Sequence, residues 1–143
     1  MEFFDVLVRY EVALWNALDR ELAREDRIGL GQLHALRIVD RYDGRARVQE
    51  LSDDIGITVG AASKLVDRLE RDGLAVRSPN PANRRSSLIA VTAEGRRALD
   101  SALDVCRKAA TRAIGDEDVE PLTLALHRLL TRLGASSGAS VAV

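Results

Sequence analysis

The residues able to do chemistry gather in the middle of the chain. From Thr58 to Arg97, eight basic side chains (Lys64, Arg68, Arg71, Arg77, Arg84, Arg85, Arg96 and Arg97) stand against four acidic ones. Guanidinium and ammonium groups at this density suit a polyanion, because they neutralise phosphates and, from a helix, donate to base edges. Nothing fits catalysis. There is no nucleophile elbow, no phosphate-binding glycine loop and no metal-ligand array. Asp53-Asp54 and Asp116-Glu117-Asp118 fall on a helix surface and at a helix start, where solvation and the helix dipole account for them. His34 and His127 share no ligand spacing with Cys106, so neither a metal nor a cofactor is expected.

Elements that place the basic stretch can be read from periodicity. Residues 48–55 form a short helix with Val48, Leu51 and Ile55 inward, stopped by Gly56. Thr58 caps a further helix in which Ala62, Leu65, Val66 and Leu69 face the core. Its outward positions are then Val59, Gly60, Ser63, Lys64, Asp67 and Arg71, with Ala61 and Arg68 at the margins. Two helices joined through Gly56-Ile57-Thr58 make a helix-turn-helix, whose second helix enters the major groove of duplex DNA. Asp72-Gly73 ends that helix and the period changes to two. Residues 74–78 and 88–92 alternate as strands around Pro79-Asn80-Pro81-Ala82-Asn83-Arg84-Arg85, a hairpin with a long basic tip. The hairpin makes the motif winged, and Arg84 and Arg85 are placed to reach phosphate or a narrow minor groove. Thr58 and Arg77 complete the candidate DNA contacts.

The flanks are helical. Phe3, Leu7, Tyr10, Leu14 and Ala17 step at heptad spacing, and Phe4, Val8, Trp15, Leu18 and Leu22 form a second apolar line. A helix apolar on two sides needs cover on two sides, and a partner chain supplies the second. Leu33, Leu36, Val39 and Tyr42 mark a helix closed by Asp43-Gly44. Thr92 caps the fifth helix, striped by Leu99, Leu103, Cys106, Ala110 and Ile114. Val119, Leu122, Leu126, Leu129 and Leu133 line the sixth, with Pro121 tolerated in its first turn. The expected fold is mainly α with a small β-wing: six helices, a winged helix-turn-helix, and terminal helices forming a dimerisation domain. As one domain over 1–143, it divides into dimerisation helices at 1–28 and 98–134, a DNA-binding lobe at 29–97 and a flexible tail at 135–143.

Composition agrees. The chain has 143 residues, one cysteine, 46% hydrophobic and 30% charged residues, which describes one globular domain without a disulfide framework. The net charge of −1 averages a basic centre with acidic flanks. All five aromatics (Phe3, Phe4, Tyr10, Trp15 and Tyr42) lie in the first 42 residues. An acidic N-terminus and the lack of a long apolar run lead to the expectation of a cytoplasmic protein with no membrane partner.

Residues 48–97 resemble the MarR family of transcriptional regulators. The resemblance lies in Val48-Gln49-Glu50-Leu51-Ser52-Asp53-Asp54-Ile55-Gly56-Ile57-Thr58, in Ala62-Ser63-Lys64-Leu65-Val66-Asp67-Arg68-Leu69-Glu70-Arg71-Asp72-Gly73-Leu74, in Asn83-Arg84-Arg85-Ser86 and in Val91-Thr92-Ala93-Glu94-Gly95. It implies a homodimer, joined through the first and last helices, on a pseudo-palindromic operator of double-stranded DNA. The usual role is a repressor released by a small, often aromatic or phenolic, effector. On that basis Phe3, Phe4, Leu7, Tyr10, Leu14, Leu122, Leu126 and Leu129 serve dimerisation. Ser63 and Lys64 match recognition-helix contacts, Arg68 a phosphate contact and Arg85 the wing-tip arginine. The resemblance also places Trp15, His34 and Arg37 along the ligand cleft as an aromatic wall, a polar tip and an anion partner, while Trp15 reads equally well as plain core. Asn83 stands where the family usually has Asp, and Gly60 and Ala61 stand where Ser and Thr are frequent. Two alternatives follow: a winged-helix module that binds protein and not DNA, and a redox-sensing regulator using Cys106. The place of Cys106 on an apolar stripe favours an inert thiol.

Overall fold

Local stop and start signals set the element boundaries. In the computed structural model, which describes residues 1–25 and 27–134, the order is α1 (Glu2–Arg24), α2 (Leu30–Arg41), α3 (Val48–Ile55), α4 (Val59–Arg71), β1 (Ala75–Pro79), β2 (Ser87–Val91), α5 (Ala93–Ile114) and α6 (Glu120–Arg132). The expected tail at 135–143 lies outside the described residues. Gly56 and Gly73 sit at φ +76° and +72°, left-handed geometry that ends α3 and follows α4. The Thr58 and Thr92 hydroxyls accept from the amides of Ala61 and Gly95, capping α4 and α5.

The wing is an antiparallel pair with Ala75 opposite Val91 and Pro79 opposite Ser87. Each strand is displaced by one residue from its expected span. Pro79 is admitted because it sits at the strand's end, where its missing N–H interrupts little. A third segment, unforeseen in the sequence, joins the pair: the amide of Ile89 donates to the carbonyl of Ala46 at 2.8 Å, an isolated bridge just before α3.

The core surrounds α2, which buries Leu30, Leu33, Ala35, Leu36, Ile38 and Val39. Leu51 of α3, Val66 and Leu69 of α4, Ile89 of β2 and Leu99 of α5 close around it. Gly29, the N-cap of α2, has no side chain to offer; Asp19 of α1 accepts the Leu30 amide at 2.8 Å instead. Burying these apolar groups is the main stabilising term, at roughly 25 cal/mol per Å². The terminal helices contribute little to it. α1 buries only Leu22, and α6 buries none of its residues.

The start of α5 is locked onto the end of α4. Thr92 donates its hydroxyl to the Gly73 carbonyl at 2.7 Å and its amide to the Leu74 carbonyl at 3.1 Å. A Cβ on Gly95 would lie 1.9 Å from that same Leu74 oxygen. The Val-Thr-x-x-Gly run thus has a steric and a hydrogen-bonding reason.

Candidate nucleic-acid interface

Ser52 builds the turn of the helix-turn-helix. It is buried, its hydroxyl donates to the Ile57 carbonyl at 2.7 Å, and its own carbonyl accepts the amides of Gly56 and Ile57. α3 opens with a capping pair in which Glu50 accepts the Arg47 amide at 2.8 Å. α4 buries Ala62, Val66 and Leu69 as expected, and leaves Val59, Gly60, Ala61, Lys64, Asp67 and Arg68 exposed. Ser63 is half-buried, and the Thr58 hydroxyl accepts the Ala61 amide as the cap of α4.

The basic stretch divides by what each cation touches. Arg71 pairs with Asp72, Arg96 with Asp40 and Arg97 with Glu94. Arg77 bonds Glu70 and lies 2.7 Å from Asp67, while its amide donates to Glu70 at 2.9 Å. Burial alone would lower its pKa, but the hydrogen bonds with Asp67 and Glu70 raise it above the ordinary guanidinium value. Arg77, expected as a DNA contact, is therefore engaged inside the protein and ties β1 to α4. Lys64, Arg68, Arg84 and Arg85 are exposed and form no ion pair among the described residues. These four unpartnered cations belong to the recognition helix and to the wing tip.

Neutral amides order that tip. Asn80 is buried; its side chain donates to the Ser86 hydroxyl at 2.8 Å and accepts the Ala82 amide at 3.0 Å. Asn83 accepts the Arg85 amide at 3.0 Å. The Asx turn needs an oxygen, not a charge, so Asn83 fixes the backbone carrying Arg85 without adding an acid beside it.

The expected ligand residues are only partly assembled. His34 and Arg37 lie one turn apart on α2, both half-buried. Burial, then the guanidinium groups of Arg37 and Arg41, hold the His34 pKa below its ordinary value, against a smaller opposing pull from Asp54. Trp15 is 39% exposed on α1. It has no hydrogen bond to His34 or Arg37 among the described residues. Cys106 of α5 is half-buried, and burial pushes its thiol up, with Arg37 pulling down and Asp19 up. A raised thiol pKa lowers the thiolate fraction, the reverse of what a redox sensor needs. Among the described residues no three His, Cys, Asp or Glu groups come together as a metal set. None of the described helices is long and apolar enough to cross a membrane.

Sequence reasoning missed Ser52, Glu70 and Asn80. Only Asn80 carried a local signal, its place among turn formers.

A short helix, a left-handed glycine, a capped helix and a hairpin with two free arginines define a winged helix-turn-helix. Residues 28–87 match the MarR family. Among curated proteins none matches the chain. A MarR-family transcriptional regulator from Rhodococcus sp. RHA1 superposes with a TM-score of 0.80 at 24% identity, over 92% of this chain and 91% of that one. A MarR-family regulator from Streptomyces coelicolor in complex with DNA gives 0.79 at 22%, over 96% and 87%. CouR from Rhodococcus jostii RHA1, bound to p-coumaroyl-CoA, gives 0.77 at 22%, over 95% and 93%. The shared fold extends over nearly the whole chain.

Proposed function

We propose that the chain is a homodimeric transcriptional regulator, not an enzyme, that represses by holding a pseudo-palindromic operator and releases it to a small acidic ligand. The observation that carries this reading is the confinement of unpaired cations: in the basic stretch, Lys64, Arg68, Arg84 and Arg85 alone lack an acidic partner among the described residues. Thr58, Gly60, Ala61 and Ser63 share the helix end that faces bases, whereas Arg77 holds the wing. A protein with this fold is known in complex with DNA, which supports the DNA-binding reading.

The dimer reading rests on exposed apolar area. Phe3, Phe4, Tyr10, Leu122 and Leu129 are 39–61% exposed. Leu7, Leu14 and Leu126 share these faces, half-buried. Two α1–α6 surfaces of this kind cover one another, and 1–28 with 98–134 then form the dimer domain around the lobe at 29–97. Recognition helices held about 34 Å apart enter successive major grooves. An effector works by preferring another spacing, and shifts binding only by its differential affinity. For the ligand, Arg37 has no acidic partner among the described residues and lies one turn from His34, so its guanidinium is free to hold an anion. CouR binds an acyl thioester of an aromatic acid, which supports an aromatic body near Trp15.

The test is equilibrium binding to a duplex selected by the purified protein from random 30-bp DNA, titrated over salt. Steep salt dependence and a broad loss with Arg85→Ala are expected. Salt-independent binding, or no duplex selected, refutes the reading. Sedimentation of wild type and Tyr10→Asp tests the dimer, with the variant expected as monomer.

A further inference from the structure

The first turn of α4 has an unusual surface. Val59 is 48% exposed, and among the described residues outside the faces of α1 and α6 only Val76 is a comparably exposed large apolar residue. Packing gives no reason for a branched aliphatic there, and Val is a mediocre helix former. Beside it, Gly60 and Ala61 carry no polar side-chain atom. The hydroxyl of Thr58 accepts the Ala61 amide at 3.2 Å. Between the Thr58 cap and Ser63, the end of the helix that faces base edges therefore offers no side-chain donor or acceptor. It is also slim, because a Cβ on Gly60 would meet nothing within 4 Å. The backbone there can approach a surface closely.

In the major groove one feature is apolar: the 5-methyl group of thymine. We infer that Val59 is a specificity-determining residue that reads thymine methyl groups, so that each operator half-site carries a thymine where α4 enters the groove. This inference rests on the DNA-binding reading and adds to it the chemistry of one position. Lys64 and Ser63 supply the polar part of the readout one turn further along. Gly60 contributes by its lack of a side chain, which lets the isopropyl group of Val59 come within van der Waals reach.

Removal of a buried methyl group weakens binding about fourfold, at roughly 0.8 kcal/mol. The experiment uses the full chain and the duplex it selects from random 30-bp DNA. Each deoxythymidine is replaced in turn by deoxyuridine, which lacks only the methyl group and pairs identically. Wild-type binding is expected to weaken about fourfold at one or two positions in each half-site, and 5-methylcytosine at a deoxycytidine control position to have no effect. In Val59→Ala the deoxyuridine effect at those positions is expected to vanish, since the contact is already gone. Val59 is exposed, so the variant is expected to fold, and a melting curve checks this. Deoxyuridine tolerated at every position overturns the inference while leaving DNA binding intact, as does an undiminished effect in Val59→Ala. Failure of the wild type to select any duplex overturns both readings.

Discussion

Replacing Glu70 by Gln sets two effects of opposite sign against each other. Glu70 is an acid on the recognition helix, so its removal should, by charge alone, strengthen DNA binding. At about 10 Å from a phosphate in water that gain is about 0.4 kcal/mol, or twofold. Glu70 also anchors the wing. It accepts the Arg77 amide at 2.9 Å and pairs with its guanidinium, with side-chain exposures of 31% and 23%. A hydrogen bond to a charged group contributes about 1.5–3 kcal/mol when buried, and roughly 1 kcal/mol after allowance for this exposure. Gln keeps an oxygen for the Arg77 amide but loses the charge, and Asp67 still holds the guanidinium at 2.7 Å. A loss of ~1 kcal/mol set against the gain of about 0.4 kcal/mol leaves a net weakening of roughly two- to threefold on a selected operator, which needs helix and wing together. The assay is fluorescence anisotropy with wild type, Glu70→Gln, Arg85→Ala and the double variant. With the wing undocked, Arg85→Ala should cost less than it does in wild type. Tighter operator binding by Glu70→Gln, or strictly additive costs, refutes the anchoring argument.

Further tests concern the scaffold. Gly95→Ala drives a Cβ to 1.9 Å from the Leu74 carbonyl oxygen, and should cost about 3 kcal/mol or more, seen as a Tm lower by over 10 °C in a calorimetric melt. Ser52→Ala leaves the Ile57 carbonyl without its 2.7 Å partner and should cost about 1–2 kcal/mol in urea denaturation. Because the folded-state pKa of His34 is depressed, its contribution to stability is present above the ordinary imidazole value and falls as pH drops through the folded value. His34→Gln should therefore flatten the stability curve as pH falls below the ordinary imidazole value of about 6.5. The folded Cys106 thiol is raised, so native protein should react with iodoacetamide more slowly than unfolded protein near pH 8.5, and catch up only at higher pH.

Much of this architecture was legible because its determinants are local. α3 begins at Val48 and ends at Ile55 as read, since a period of 3.6 and a left-handed glycine lie within one stretch. The Thr58 and Thr92 caps are equally local. What escaped depends on distant pairs. The Ala46–Ile89 bridge joins single residues far apart in sequence, and no periodicity announces it. Arg77 resembled its basic neighbours, and only the return of β1 across α4 brings Asp67 and Glu70 to it. Ser52 reads as a solvated serine until the turn folds over it. Asn83 lacks the charge of the family's aspartate, yet the turn it makes asks only for an acceptor.

The junction at Leu74 makes α5 a lever. With Thr92 and Gly95 pressed against the Gly73 and Leu74 carbonyls, no slack remains where the long helix meets the recognition helix. α5 runs 22 residues, about 33 Å at 1.5 Å per residue. A tilt of about 10° about its far end, the scale of an interdomain rotation, therefore carries the base-reading surface through roughly 6 Å. In a two-fold assembly each arm swings in the opposite sense, so the gap between the two surfaces changes by up to twice that. Against a groove repeat of about 34 Å, such a swing takes the pair from register to misfit.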